Sequence, residues 1–512
     1  MKSASIPTLI QQMLQPDFYP HPVSKNIQLV QTHISYVLLT GDYAYKIKKP
    51  VNFGFLDFST LDKRSHFCRE ELRLNQRGAA QLYLQVLPIS KNGEQYQLGG
   101  TQEVVEYVLK MKQFPEAGLL SNMLERGQVR ESHVKELGEV VARYHKNTET
   151  NDYIRSFGGV EKVRFSIDEN YKLTNKYIGT VQTQTQYQET KAYSDQFFAQ
   201  RQQIFLNRIK NDCIRECHGD LHLRNICMYN SQILLFDCIE FNERFRFIDT
   251  MCDVAFIVMD LEARKRKDLA NIFLNTYLEQ TGDWEGLQLL PLYLSRQAYV
   301  RAKVNSFLLD DSEISMNLKN KSQKIAADYY KQAVDYTKPR QGKLFLMSGI
   351  SGSGKSTVAR YLSEKLGAIQ IRSDAVRKHL AKVPLLERGS DELYTDEMSS
   401  KTYSKLLELG IMLTTEGFTV ILDAKYDQQH LRADAIAQAE RYKIPLKIIQ
   451  CTAPPEILRD RLDKRSGDIA DATADLVSSQ LHKAEEFSAK EKNYLKILDT
   501  TQPYEAQLIE AI

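Results

Sequence analysis

The sequence predicts two domains of different class. Residues 1–338 read as an α+β part, with a small β-rich lobe followed by a helical one. Residues 339–512 read as an α/β part built on a five-stranded parallel sheet. Three observations carry this. Apolar segments between residues 27 and 111 alternate with period two around tight turns, as antiparallel strands do, whereas 115–338 reads mostly at helical spacing. From 343 onward, strand-length apolar runs alternate with helical stretches, the order that a parallel sheet with crossover helices requires. Lys338-Pro339-Arg340-Gln341-Gly342 has the composition of a linker between them.

At 512 residues the chain is long enough for two or three cores, and its apolar (42%) and charged (26%) fractions are those of globular protein. A net charge of +3 is near balance, which argues against a protein that coats nucleic acid or a membrane surface. Pro7, Pro16 and Asp17 interrupt the first twenty residues, against a secretory leader, and no apolar run is long enough for a membrane span. Seven scattered cysteines suggest a reduced, cytoplasmic setting. Cys213, Cys217, His218 and His222 have the residue types of a zinc site, but they crowd onto one short segment and His218 has a better use below.

The first strands are Ile27–Val30, Tyr36–Leu39 and, after a Thr40-Gly41-Asp42 turn, Tyr43–Lys48. Lys46 inside that last apolar strand is either a solvent-facing lysine or one that holds phosphate, and Lys48 competes with it. The phosphate role needs a carboxylate from the next helix. That helix, Leu61–Gln76, offers Glu70 and Glu71. Strands Leu82–Pro88 and Val104–Met111 complete the lobe. Helices follow at Leu119–Arg126 and Ser132–His145, with Ser132 the expected cap. Residues 150–212 are expected to be helical apart from a Thr/Gln-rich loop at 180–190.

Cys217-His218-Gly219-Asp220-Leu221-His222-Leu223-Arg224-Asn225 then leads through one hairpin to Ile233-Leu234-Leu235-Phe236-Asp237. His-x-Asp-x-x-x-x-Asn, followed by an aspartate at a strand end, is the catalytic arrangement of the protein-kinase-like, two-lobed fold. Asp220 would accept the proton of an attacking hydroxyl, Asn225 would return on the same loop to a metal, and Asp237 would hold Mg2+ against the phosphates of ATP. Gly219 stands where protein kinases carry an arginine, Cys238-Ile239 replaces Phe-Gly, and no long activation segment follows. A small acceptor fits this better than a peptide.

On these residues the first ~335 positions resemble the aminoglycoside phosphotransferase-like kinases, which phosphorylate small hydroxylated molecules. The run Tyr45-Lys46-Ile47-Lys48-Lys49-Pro50-Val51-Asn52-Phe53-Gly54-Phe55-Leu56-Asp57-Phe58-Ser59-Thr60 looks like the signature of a branch of that family often fused to a P-loop kinase. The resemblance implies ATP and Mg2+ use through Lys46, Glu71, Asp220, Asn225 and Asp237. Further on, Arg296, Tyr299 and Lys303 share one face of a helix expected over Leu287–Leu309, either as a solvated basic face or as acceptor-binding side chains.

In the second part, the apolar strand Lys343–Met347 enters Gly349-Ile350-Ser351-Gly352-Ser353-Gly354-Lys355-Ser356-Thr357, and a helical pattern follows. Strand, Gly-x-x-x-x-Gly-Lys-Ser and helix, in that order, make the P-loop of an NTPase. Gly349, Gly352 and Gly354 let backbone N–H groups turn toward phosphate, Lys355 reaches the β/γ-phosphates, and Ser356, beside Thr357, offers a hydroxyl to Mg2+. A second strand, Ala368–Ile371, ends at Arg372-Ser373-Asp374, with Arg377 three residues on. This resembles the polynucleotide-kinase and zeta-toxin-like group, in which such an aspartate is the base and the arginine holds acceptor or phosphate. Asp374 is also a residue type suited to a helix cap. Phe418–Asp423 is a third strand whose terminal Asp423 is placed for Mg2+ or for Arg377. Lys447–Cys451 is a fourth. A helix opening at Pro455 carries Arg459, Arg461 and Arg465 as candidate lid arginines, and Tyr494–Leu498 is the fifth strand.

The sequence therefore predicts a bifunctional ATP-dependent kinase with small hydroxylated acceptors. Its rivals are a regulatory ATP-binding role for one domain and a polynucleotide 5′-hydroxyl kinase in the second. Acidic residues interleaved through 380–440 argue against a nucleic-acid backbone.

Overall fold

A computed structural model describes residues 6–23, 26–100, 103–311 and 314–508. The chain divides into two compact units: 1–176 with 195–260, and 177–194 with 261–512. Residues 261–338 thus pack with the P-loop part. Among the described residues, no helix is long and apolar enough to cross a membrane.

The first unit has the two-lobed kinase-like fold. Its small lobe is an antiparallel sheet of β1 (Gln28–Gln31), β2 (Ser35–Leu39), β3 (Tyr43–Lys48), β4 (Tyr83–Asn92), β5 (Gln95–Leu98) and β6 (Val104–Lys112), in the order β1-β2-β3-β6-β4-β5. Tyr45, Ile47, Ile89 and Val108 bury one face of it. Helix Leu61–Ala79 is capped by the Thr60 side chain and lies between β3 and β4 in the chain. The short β5 escapes a sequence reading because Gln95–Leu98 offers too few apolar positions to alternate.

The helical lobe carries two small ladders, β7 (Ile214–Glu216) with β10 (Phe247–Asp249) and the hairpin β8 (Ile226–Tyr229) with β9 (Gln232–Leu235). Two local expectations need correction. Helix Glu131–Asn147 starts after Arg130, whose N–H donates to the His133 ring at 3.2 Å, so Ser132 lies inside the first turn and is not the cap. Helix Gln184–Gln200 takes up most of the expected 180–190 loop. The Thr183 hydroxyl starts it by accepting the Gln186 N–H, and the glutamines that follow are good helix formers.

The second unit holds β11 (Leu344–Ser348), β12 (Ile369–Arg372), β13 (Val420–Asp423), β14 (Leu446–Thr452) and β15 (Leu495–Asp499). They form one all-parallel sheet in the order β12-β13-β11-β14-β15, as the sequence predicts. Fully buried β11 reads as a continuous apolar run for that reason. The helix opening at Pro455 ends at Asp463, so Arg465 lies just beyond it. Tyr299 is buried, hydrogen-bonded to Gln182 and edge-on to Tyr330, so the face shared with Arg296 and Lys303 is neither a purely solvated face nor an open binding face.

Candidate active sites

In the first unit, β3 points Lys46 and Lys48 to the same side because strand side chains repeat every second residue. The Lys46 Nζ lies 2.7 Å from Glu71 Oε1 and 2.8 Å from Asp237 Oδ1. The Lys48 Nζ lies 2.6 Å from Glu71 Oε2 and also bonds Glu240. Glu71 is therefore the helix carboxylate of the site. Glu70 turns to Arg73 on the surface. Burial alone would push the Glu71 carboxyl up, but the two ammonium groups overcome it and hold the carboxyl well below the usual range.

The catalytic loop is held from below. Asp253 accepts the N–H groups of His218 at 2.8 Å and Gly219 at 3.0 Å, and Asp260 accepts that of Leu223 at 3.0 Å. Asn225 donates to the Asp220 carbonyl at 2.9 Å and to its carboxylate at 3.1 Å. The β8–β9 hairpin brings Phe236 back, its N–H on the Asn225 carbonyl at 3.0 Å, and so delivers Asp237. Asp237 adopts φ 64°, left-handed for a non-glycine residue, and its N–H is held by the Tyr83 hydroxyl at 3.2 Å. The structure thus assembles Lys46, Glu71, Asp220, Asn225 and Asp237 around one place. Asp220 and Asp237 stay 37% and 47% exposed, open to a ligand. The His222 ring accepts the Arg224 N–H and the Cys217 thiol faces the Ile248 carbonyl.

In the second unit, the loop after β11 makes the turn its glycines allow. Gly349 and Gly352 have φ 127° and 83°, and a side chain there would meet the Cys451 and Leu458 carbonyl oxygens at 2.4 and 2.7 Å. Gly354 precedes the helix Lys355–Leu366 that aims its N-terminus at the loop. The buried Lys355 Nζ donates to the Ile350 carbonyl at 2.8 Å, and burial lowers its pKa. Ser356 is half-buried, Thr357 exposed, and the buried Ser353 hydroxyl has no hydrogen-bond partner.

β12 and β13 run side by side so that Arg372 sits in register with Asp423. Asp374 is not the helix cap. It sits in the first turn of Ser373–Ala381, after Arg372. Burial raises its pKa, with Asp423 and Asp468 adding to the rise and Arg372 and Arg377 opposing it. Arg377 donates to the Leu393 carbonyl at 2.8 Å, stands 5.1 Å over the Tyr394 ring, and leaves its buried Nε without a partner. Arg461 donates to Thr500 Oγ1 at 2.9 Å and to the Gly352 carbonyl at 3.3 Å, bracing the glycine loop. Arg465 pins residues 470–472 through the Ala470 and Ala472 carbonyls. All of these, with Asp423, Gly354, Lys355, Ser356 and Thr357, line a cleft of about 1470 Å3. Gly349 does not line it. Arg372, which sequence reasoning passes over, bonds Asp468 at 2.6 Å and approaches Asp423 at 3.9 Å.

Both sites offer what a magnesium nucleotide needs. Asp237 and Asn225, or Ser356 and Asp423, present hard oxygen donors, and the glycine cradle with its orphaned Ser353 hydroxyl suits a phosphate chain. Each unit thus carries a kinase-type motif set.

The family described as AAA domain matches residues 344–487. Among solved structures, the chain is similar to an amicoumacin kinase, hAmiN, in complex with AMP-PNP, Ca2+ and Ami. The identity is 14%, covering 63% of this chain and 92% of that one, with a TM-score of 0.41. It is also similar to a sugar kinase from Janibacter sp. HTCC2649, at 24% identity over 34% of this chain and 92% of that one, with a TM-score of 0.26. Two relatives extend along most of the chain: the uncharacterized proteins Rv2004c of Mycobacterium tuberculosis and Mb2027c of Mycobacterium bovis. Each is 31% identical over 468 residues, 90% of this chain and 91% of the relative. At that identity and coverage, this protein belongs to the same family as Rv2004c and Mb2027c.

Proposed function

We propose that the protein is a bifunctional ATP-dependent phosphotransferase, working in the cytoplasm, in which each unit transfers the γ-phosphoryl group to a hydroxyl of a small molecule. The observation that carries this is the presence of two complete and separate residue sets, each with its own phosphate-facing lysine, metal-type oxygen donors and carboxylate base. The proposed functional boundary lies at the 338/339 linker, so the helices before it pack with the second unit while belonging to the first by sequence.

In the first site Lys46, oriented by Glu71, would hold the phosphates, with Asn225 and Asp237 on the metal. Asp220 would take the proton as the acceptor oxygen bonds to the γ-phosphorus and the bond to the β–γ bridging oxygen breaks, releasing ADP. In the second site the glycine loop and Lys355 would hold the phosphates, Ser356 and Asp423 the metal, and Asp374 would take the proton. Mg2+, when bound, neutralises charge on the phosphates at both places. Arg461, bonded to Thr500 and the Gly352 carbonyl, and Arg465, bonded to the Ala470 and Ala472 carbonyls, would act by placing the loop and the 466–475 segment over the cleft. Arg377, which lines the cleft, would steady the acceptor with its guanidinium charge. A small acceptor is supported by Asp391, Asp396, Asp427, Asp434, Asp471 and Asp475, which line the cleft and would repel a polynucleotide backbone.

The test is phosphoryl transfer from γ-labelled ATP into a metabolite extract, comparing wild type with Asp220→Asn and Asp374→Asn. Two labelled products, each lost with one variant, are expected. One product, or labelled oligonucleotide 5′-ends in place of small molecules, contradicts the reading.

A further inference from the structure

Helix Lys267–Thr281 precedes the segment that matches the AAA-domain family, yet it runs along the edge strand of that segment's sheet. Asn271 Nδ2 donates to the Ala368 carbonyl at 2.9 Å and its Oδ1 accepts the Ser363 hydroxyl at 3.0 Å. One turn on, Asn275 donates to the same carbonyl at 3.0 Å and accepts the Gln370 N–H at 2.8 Å. These backbone groups belong to the outer edge of β12, whose other edge pairs with β13. One further turn on, Glu279 Oε2 lies 3.7 Å from Arg372 Nη1, and the Glu279 carbonyl meets His379 Nε2 at 2.8 Å.

The spacing explains the fit. Residues 271, 275 and 279 form one stripe of the helix, and 368, 370 and 372 point the same way along the strand. Four helical residues advance about 6 Å and two strand residues about 6.6 Å, so the two rows stay in step over three contacts. The row ends at Arg372, the arginine beside Asp423. Asp423 already accepts from Gln370 Nε2 at 2.9 Å. An arginine released from its other partners would close the remaining 3.9 Å to Asp423 and cover the carboxylate that the metal needs.

We propose that this helix is part of the second active site and that Glu279 is a positioning residue. With Asp468, it draws Arg372 away from Asp423 and leaves Asp423 free for the Mg2+ of the nucleotide. This rests on the reading of Asp423 as a metal-binding group. The P-loop site therefore extends beyond residues 344–487.

The test uses the full chain carrying Lys46→Ala, which silences nucleotide binding at the first site, and AMP-PNP as the probe. The readout is the Mg2+ concentration that gives half-maximal AMP-PNP binding, with thermal melting alongside. Glu279→Gln should raise that concentration about five-fold, the effect of one part-exposed charge partner. The melting temperature should stay almost unchanged, because Gln keeps the shape. In an Arg372→Gln background the same substitution should have no effect on the Mg2+ requirement. An unchanged Mg2+ requirement in Glu279→Gln overturns the proposal, as does an equal rise when Arg372 is absent. Asp423→Asn separates the two layers. If it raises the Mg2+ requirement while Glu279→Gln does not, only the positioning role fails. If Asp423→Asn has no effect, the metal-binding reading of Asp423 fails and the inference with it.

Discussion

Lys48 lies 2.6 Å from one oxygen of Glu71, while the other oxygen of that carboxylate is taken by Lys46 at 2.7 Å. The two lysines are not equivalent. Lys46 continues to Asp237 and is part-exposed, whereas Lys48 continues to Glu240 and is 1% exposed. Lys46→Met should reduce transfer by the first site by ~10²-fold, the scale for losing one preorganised phosphate donor, with a smaller loss of stability than at Lys48 because only Glu71 among its partners is fully buried. Lys48→Met should instead cost about 3–5 kcal/mol of stability, because it leaves two buried carboxylates short of a partner. Chemical denaturation and turnover of both variants check this, and an interchange of the two outcomes contradicts the assignment.

This pair also shows what the sequence can and cannot convey. Period two puts Lys46 and Lys48 on the same face, so no pattern argument separates them, and only the position of Glu240 does. Glu70 and Glu71 lie about 100° apart on the helix, so one of them must face β3, but choosing between them needs the helix's docking angle. The P-loop, the five parallel strands and the catalytic loop were legible because glycine, period and spacing are local signals. Glu240, Arg372 and Glu279 were not, because what distinguishes each is a partner far away in sequence. Ser132 misled because the helix already starts at Glu131, and the 180–190 stretch because its polar composition resembles a loop although Thr183 caps a helix there and glutamine favours one.

Asp220→Asn should suppress transfer by the first site ~10²–10⁴-fold, as expected for loss of a positioned base. ATP affinity should hold, since the phosphates and metal meet Lys46, Asn225 and Asp237. Equal turnover with and without the substitution would show that another group takes the proton.

The second base should reveal itself in its pH dependence. Burial raises the Asp374 pKa above that of an ordinary aspartate, ~4. A base works deprotonated, so kcat/KM of the second site should fall as pH drops through the raised value. The acid limb should therefore lie above the usual carboxylate range. A limb at or below ~4 would mean that Asp374 is not the group titrating.

A fragment starting at 339 removes Asn271 and Asn275 from β12 and leaves the outer edge of that strand unpaired. Each lost hydrogen bond costs about 1 kcal/mol, and an open edge invites association. Residues 339–512 alone should melt at lower temperature than 261–512 and aggregate more readily. Identical melting curves would contradict the packing role of the helix.

On the proposed function one chain carries two independent nucleotide sites, and isothermal titration of the full-length protein with AMP-PNP and Mg2+ counts them. Two nucleotides should bind per wild-type chain, one in Lys355→Ala and one in Lys46→Ala. One nucleotide per wild-type chain would contradict it.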